Sequence, residues 1–139
     1  MKLRLEYHGV VYSKKNSKRI ITNSRTKRPM IVSSERAKEM EKDMADQFSA
    51  QYLSKVIVNI PIATIHGKPL EIHIMIWQKD RTRRDLDNQA TSILDALVAA
   101  NVLVDDSVNV IQKLIVEMMG IDKYDPHVVV EIMEGGALN

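Results

Sequence analysis

Polar and apolar residues alternate with period two over several stretches of this chain and recur at steps of three and four over two others. Leu3, Leu5 and Tyr7 alternate with polar neighbours, which predicts a first strand running to about Tyr12. Leu70, Ile72, Ile74 and Ile76 alternate with Glu71, His73, Met75 and Trp77, the signature of a half-buried strand. Val56, Val58, Ile60 and Ile62 predict another strand, with Pro61 marking an edge or a bulge, and the turn His66-Gly67-Lys68-Pro69 joins these two strands as a hairpin. Ala37, Met40, Met44, Phe48 and Tyr52 mark one face of a helix that starts at Ser33-Ser34-Glu35 and runs to about Leu53, with the methionines as core filling. Leu86, Ala90, Ile93, Leu94 and Leu97 predict a second helix ending near Ala100. Met30-Ile31-Val32 reads as a short edge strand, and Val108–Met119 and His127–Met133 read as two strands flanking a turn over residues 120–126. The expected fold is a single α+β domain over residues 1–139: a mixed, largely antiparallel sheet of about five strands, in consecutive hairpins, with two main helices packed on it.

Composition narrows the compartment and the partner. With no cysteine there is neither a disulfide nor a thiolate metal site, and no apolar run approaches the roughly 20 residues that span a bilayer. The start, Met1-Lys2-Leu3-Arg4-Leu5-Glu6, lacks the apolar stretch of a signal peptide, so the expectation is a cytoplasmic protein without membrane contact. The net charge of +2 is unevenly spread. Residues 1–38 hold 11 Lys and Arg against Glu6 and Glu35, a balance of +9, which leaves −7 for the rest. That asymmetry suits a protein that gathers a polyanion and then handles it with carboxylates. Lys14, Lys15, Lys18, Arg19, Arg25, Lys27 and Arg28 fall in what reads as a polar basic loop, either simply solvated or an arm that tracks phosphates. His8, His66, His73 and His127 have no metal-ligand spacing and read as structural, and Gly135-Gly136 reads as a frayed tail.

Between the Leu70 strand and the second helix lies Asp80-Arg81-Thr82-Arg83-Arg84-Asp85-Leu86-Asp87-Asn88. Arginine's planar fork fits phosphate oxygens, and paired carboxylates suit a hard divalent cation, so the run points to metal-assisted chemistry on a phosphodiester. Residues two apart on a helix diverge, so Asp85 and Asp87 share a metal only where a strand or turn leads into a helix cap. The bland alternative is an N-cap aspartate beside neutralising arginines. Asp105-Asp106, after Val102-Leu103-Val104, forms a second carboxylate cluster, one member of which would face an Asp85/Asp87 site.

The run from Asp80 to Asn88, followed by Leu94-Asp95-Ala96-Leu97 and Val104-Asp105-Asp106, resembles the RusA family of Holliday junction resolvases, as does the upstream Asn16 loop followed by Met30-Ile31-Val32-Ser33. The resemblance implies a homodimeric, Mg2+-dependent endonuclease of phage or prophage type, with Mn2+ as a substitute and no small-molecule cofactor. Such an enzyme nicks four-way DNA junctions symmetrically in recombination and repair. It implies that Asp85, Asp87 and Asp106 are the essential aspartates and Arg84 the arginine before the first. The family can carry a functional lysine four residues after the second aspartate; Thr91 stands there in this chain, with Lys113 or Lys79 as candidate substitutes.

The residues support a matching mechanism. Asp85, Asp87 and Asp106 would hold one or two Mg2+ ions that activate water. Arg84 would orient the scissile phosphate or stabilise the transition state. Arg81, Arg83 and the Lys14–Arg28 loop would follow the flanking backbone, while Asn88 and Asp105 would support the carboxylates. Helix residues 88–100 carry the chain about 20 Å from Asp87. The six residues to Asp106 recover at most about 20 Å at full extension, so Asp106 either runs back nearly straight or completes the site of a partner subunit. Two rivals remain open on the sequence: a non-catalytic binder of branched or single-stranded nucleic acid, and a metal-dependent nuclease acting on flaps or forks.

Overall fold

A computed structural model describes residues 2–12, 18–22, 25, 29–33, 35–56, 61–62 and 69–135. Six strands and two helices follow in the order β1 (Lys2–His8), β2 (Lys18–Thr22), β3 (Pro29–Ser33), α1 (Glu35–Leu53), β4 (Leu70–Gln78), α2 (Leu86–Ala99), β5 (Ile111–Ile121) and β6 (His127–Glu134). Four strands form a mixed sheet in the order β1-β6-β4-β5, and β2 and β3 pair separately. The fold is thus α+β with two helices, and the main sheet has four strands where about five were expected.

Both helices lie on one face of the sheet, the face to which the alternating apolar positions of β1, β4 and β6 point. Leu70, Ile72, Ile74 and Ile76 of β4, Leu3, Leu5 and Tyr7 of β1, and Val128, Val130 and Ile132 of β6 are buried in one core. That core meets the Met40, Met44, Phe48 and Tyr52 face of α1 and the Ile93, Leu94 and Leu97 face of α2, the two stripes read from periodicity. No helix among the described residues is long and apolar enough to cross a membrane.

Five expectations need correction. The neighbours of β4 are β6, antiparallel on one edge, and β5, parallel on the other, where a preceding hairpin strand was expected. Residues 57–60 and 63–68 lie outside the described set; Val56 and Pro61 belong to no element and buried Ile62 to no strand. The connection from β4 to β5 runs through α2, a crossover that parallel pairing requires. Second, part of the expected basic loop is strand: Lys18 and Arg19 open β2, which pairs with β3 from Lys18↔Ser33 to Thr22↔Pro29. Third, β1 stops at His8 because Gly9, at φ +154°, turns the chain and donates its N–H to the Pro126 carbonyl at 2.8 Å. Fourth, β5 spans Ile111–Ile121 rather than residues 108–119, since the Ser107 carbonyl accepts the N–H groups of Val110 and Ile111 first. Gly135 is not frayed, as its N–H reaches the Pro69 carbonyl at 2.8 Å, and Gly136 lies outside the described residues.

The two outer edges of the sheet are finished differently. On β1, Gln51 of α1 accepts from the Glu6 N–H at 2.7 Å and donates to the Glu6 carbonyl at 2.6 Å. Gln47 does the same for His8 at 2.9 and 3.3 Å. These amides stand in for a neighbouring strand, which removes the hazard of an open edge. On the other side, no described strand pairs the outer edge of β5, and Leu114, Ile115, Met118, Met119 and Ile121 are exposed along it.

Candidate active site

Asp85 is the N-cap residue of α2, in extended geometry (φ −76°, ψ 124°), and Asp87 lies in the first turn. This is a strand-to-helix junction, the setting that the two-residue spacing of the carboxylates requires. Asp85 does not act as a cap, since its side chain makes no cap hydrogen bond. Its neighbours are the Asn88 amide, donating to Oδ2 at 3.4 Å, and Arg83, whose Nε lies 3.9 Å from Oδ1. Oδ1 of Asp87 accepts from the Asn88 N–H at 2.9 Å, and its backbone carbonyl accepts from Thr91 Oγ1 at 3.0 Å.

Arg84 is held rather than solvated. Its side chain is only 13% exposed, and Nη1 donates to Gln78 Oε1 at 3.1 Å and Asp80 Oδ1 at 3.2 Å. Asp80 also accepts the Thr82 N–H at 3.0 Å, and its carboxyl is lowered first by that bond and then by Arg84. The Arg84 guanidinium lies 5.8 Å from the centre of the Tyr12 ring. Arg81 and Arg83 are exposed, as loose backbone-tracking cations would be. Lys14, Lys15, Lys27 and Arg28 lie outside the described residues, Lys18 and Arg19 lie on β2, and Arg25 is exposed.

Two buried polar residues of α2, legible in the sequence only as breaks in its apolar stripe, bring the amino-terminal segment to this junction. Gln89 donates to the Val11 carbonyl at 3.1 Å and Ser92 to the Tyr12 carbonyl at 3.1 Å. The chain leaving Tyr12 toward Lys14 therefore starts beside Arg84 and the first turn of α2.

Asp106 lies elsewhere in the subunit. Asn101, in left-handed geometry (φ 62°), ends α2 with Asn101 N–H to Val98 O and Val102 N–H to Leu97 O, both at 3.0 Å, a Schellman closure. Leu103 is pinned to the Leu97 carbonyl at 3.3 Å, and Leu70, the first residue of β4, donates to Val110 O at 2.7 Å. Asp106 is thus tied near the start of β4, whereas Asp85 follows its end, and α2 alone spans about 20 Å between them. Three residues from Leu103 recover roughly 10 Å at most. Residues 102–106 bend rather than run straight, and Asp85, Asp87 and Asp106 do not bring their ligand atoms within 4.8 Å of one another in the single chain. Asp105 accepts the Ser107 N–H at 2.7 Å, and hydrogen bonding from the Ser107 side chain first and this N–H second lowers the pKa of its carboxyl. Lys113 sits near the start of β5, remote from Asp85, and Lys79 in the turn beside Asp80.

Among the described residues, the one trio of possible metal ligands with atoms within 4.8 Å of one another is Asp122, Asp125 and His127. The three lie within six residues of one another, and the sequence reading missed them because it weighed the spacing of the histidines alone; pairing of β1 with β6 brings His8 alongside. His8 Nδ1 lies 2.9 Å from Asp125 Oδ1 and Nε2 lies 3.3 Å from Glu6 Oε2. The Asp125 contact raises the His8 pKa, and His8 in turn lowers Asp125. Trp77 stacks on His127 at 4.4 Å. The histidines at positions 8 and 127 stand side by side, with ring centroids 5.7 Å apart.

Between α2 and the exposed edge strand runs a groove of about 440 Å3 lined by Leu86, Asp87, Ala90, Thr91, Leu94, Leu114 and Val116. Asp87 is its only charged wall among the described residues. Thr91, at the position of the family lysine, faces this groove beside Asp87.

Comparison with known proteins adds one match. A family model described as Endodeoxyribonuclease RusA covers residues 11–133, and no curated protein matches the chain.

Proposed function

The chain belongs to the RusA family of endodeoxyribonucleases, which resolve Holliday junctions, and from that premise we propose a homodimeric, Mg2+-dependent resolvase. It acts in the cytoplasm, during recombination and repair, by paired symmetric nicks. The observation that carries this reading is the separation of the carboxylates. Asp85 and Asp87 stand at one end of α2 and Asp106 at the other. The apolar edge of β5 runs between these ends and, among the described residues, has no counterpart to the amide cover that Gln47 and Gln51 give to β1. A second copy pairing antiparallel along β5, about a two-fold axis, exchanges the ends and carries its Asp106 toward the Asp87 end of the groove.

The residues suit a hard divalent cation. Asp85 and Asp87 are oxygen donors, no arginine or lysine among the described residues comes closer to Asp85 than Arg83 at 3.9 Å, and Asp85 leaves its cap role unfilled. Asp85, Asp87 and the partner's carboxylate would hold the ion, with Mn2+ as a substitute. When bound, it lowers the pKa of a coordinated water and stabilises charge on the attacking and leaving oxygens. Arg84, fixed by Gln78 and Asp80, keeps further N–H donors for the scissile phosphate. Asn88 steadies Asp85, and Asp105 shapes the turn that presents Asp106. Arg81, Arg83 and the basic residues from Lys14 to Arg28 follow the flanking backbone without reading sequence.

The test is a synthetic four-way junction beside a linear duplex of the same arms, with Mg2+ or with EDTA, and Asp85→Asn in parallel. Paired nicks in the junction alone, dependent on Mg2+ and lost in a variant that still binds, support the reading. Binding without cleavage in Mg2+ and in Mn2+ supports the non-catalytic binder instead, and preferential cutting of flaps or forks supports the other nuclease.

A further inference from the structure

Two guanidinium groups converge on one tyrosine at the edge of the candidate site. The Arg36 guanidinium carbon lies 4.1 Å from the centre of the Tyr12 ring and that of Arg84 lies 5.8 Å from it. The two charges are therefore within roughly 10 Å, about one Debye length at 0.1 M salt. Arginine stacks readily on an aromatic face, but the ring only orients the charge and does not cancel it.

Arg84 has Asp80 as a counter-ion, whereas Arg36 has no carboxylate partner among the described residues. Its sequence neighbour Glu35 turns instead to Lys38, at 3.7 Å. The backbone that carries the ring is tied at three points. The Tyr12 N–H reaches Met40 Sδ at 3.0 Å, its carbonyl accepts from Ser92, and the preceding carbonyl accepts from buried Gln89. An exposed cation is thus held in place, beside a half-neutralised one, where the first turn of α2 presents Asp85 and Asp87.

We propose that Arg36 and Arg84, oriented by Tyr12, form an anion subsite that grips a backbone phosphate of the strand being cut, with Arg36 as a positioning residue. This rests on the nuclease reading above and adds to it a contact from α1, outside the Asp80–Asn88 run and outside the basic segment from Lys14 to Arg28. Two forks around one ring suit a phosphodiester, which offers two free oxygens in one plane. Removing Arg36 therefore weakens the grip on DNA without altering the chemistry at the carboxylates.

The experiment measures binding of a four-way junction in Ca2+ over a range of salt, and single-turnover cleavage in Mg2+ at saturating protein, for wild type, Arg36→Ala, Arg36→Lys and Tyr12→Leu. The expected result for Arg36→Ala is several-fold weaker binding, a salt slope smaller by about 0.9, and a saturating cleavage rate within about twofold of wild type. Arg36→Lys keeps the salt slope, because it keeps the charge, while losing part of the affinity. Tyr12→Leu behaves like Arg36→Ala in affinity. A thermal melt of Arg36→Ala matching wild type excludes a folding defect at this exposed position. Wild-type affinity and salt slope in Arg36→Ala, with an active wild type, overturn the subsite alone. A wild type that neither binds nor cuts junctions overturns the nuclease reading and the subsite with it.

Discussion

Replacing Met118 by glutamate on the free edge of β5 should separate the subunits while leaving each one folded. Met118 is 44% exposed in the single chain, so docking buries what remains. Complete burial of such a side chain is worth about 1.5–3 kcal/mol, which gives roughly 0.7–1.3 kcal/mol for the exposed part. Each two-fold dimer contains the residue twice, so about 1.3–2.6 kcal/mol of association energy is lost before any charge penalty. Burying a carboxylate that no cation meets adds more, and a total near 3 kcal/mol raises the dimer Kd roughly 100-fold. Within the subunit the long glutamate stem lies along the surface with its head in water, so the melting temperature should move little. Sedimentation equilibrium over a concentration series gives the association constant, and junction cleavage over the same series should fall in step with the dimer fraction. A wild type that cleaves as a monomer, or a Met118→Glu variant with unchanged association and activity, would refute the reasoning.

Three further outcomes test how the framework is held. Gln51→Ala should cost about 1–2 kcal/mol in denaturant unfolding, because the Glu6 N–H and carbonyl at the β1 edge both lose their partner. Gly9→Ala should cost more than about 1 kcal/mol, since a Cβ at φ +154° would fall on the Tyr7 phenol. The His8–Asp125 contact raises the histidine pKa above its ordinary 6.5, so its contribution to stability is complete below pH 6.5 and fades as pH rises through the raised folded value. Asp125 is depressed below its ordinary 3.8, so its contribution is present above pH 3.8 and fades as pH falls through the depressed folded value. Asp125→Asn should return the His8 NMR titration toward 6.5 and flatten the upper limb of the pH–stability profile.

Periodicity made the helices and the central strand legible. The stripe Ala37, Met40, Met44, Phe48, Tyr52 is the buried face of α1, and the even positions of residues 70–76 are the buried face of β4. Alternation reports which face is buried but not which strand lies alongside, so the parallel partner β5, where a hairpin strand was expected, was not legible. The strand at Lys18–Thr22 was hidden because its basic residues outweighed Ile20 and Ile21 in the reading of a charged loop. At the site, the Asp85–Asp87 junction followed from a strand pattern meeting a helix pattern. The distance from Asp87 to Asp106 could be bounded from chain length, but its direction depended on the left-handed Asn101 and the Leu97 contacts. Gln89 and Ser92 gave no warning, because a polar residue on a helix stripe is interpretable only when the carbonyl it reaches is known. The meeting of Tyr12, Arg36 and Arg84 joins three separate elements in the same way.

The claim that one active centre is built from two copies is tested most directly by mixing subunits that carry Asp85→Asn with subunits that carry Asp106→Asn and exchanging them to equilibrium. Each homodimer should be inactive. If Asp106 serves the partner's centre, every mixed dimer retains one centre with all its carboxylates, and nicking of a four-way junction should return to about a quarter of the wild-type rate. The products should be single nicks rather than paired ones. No nicking from a mixture in which native mass spectrometry shows abundant mixed dimers would contradict the shared centre.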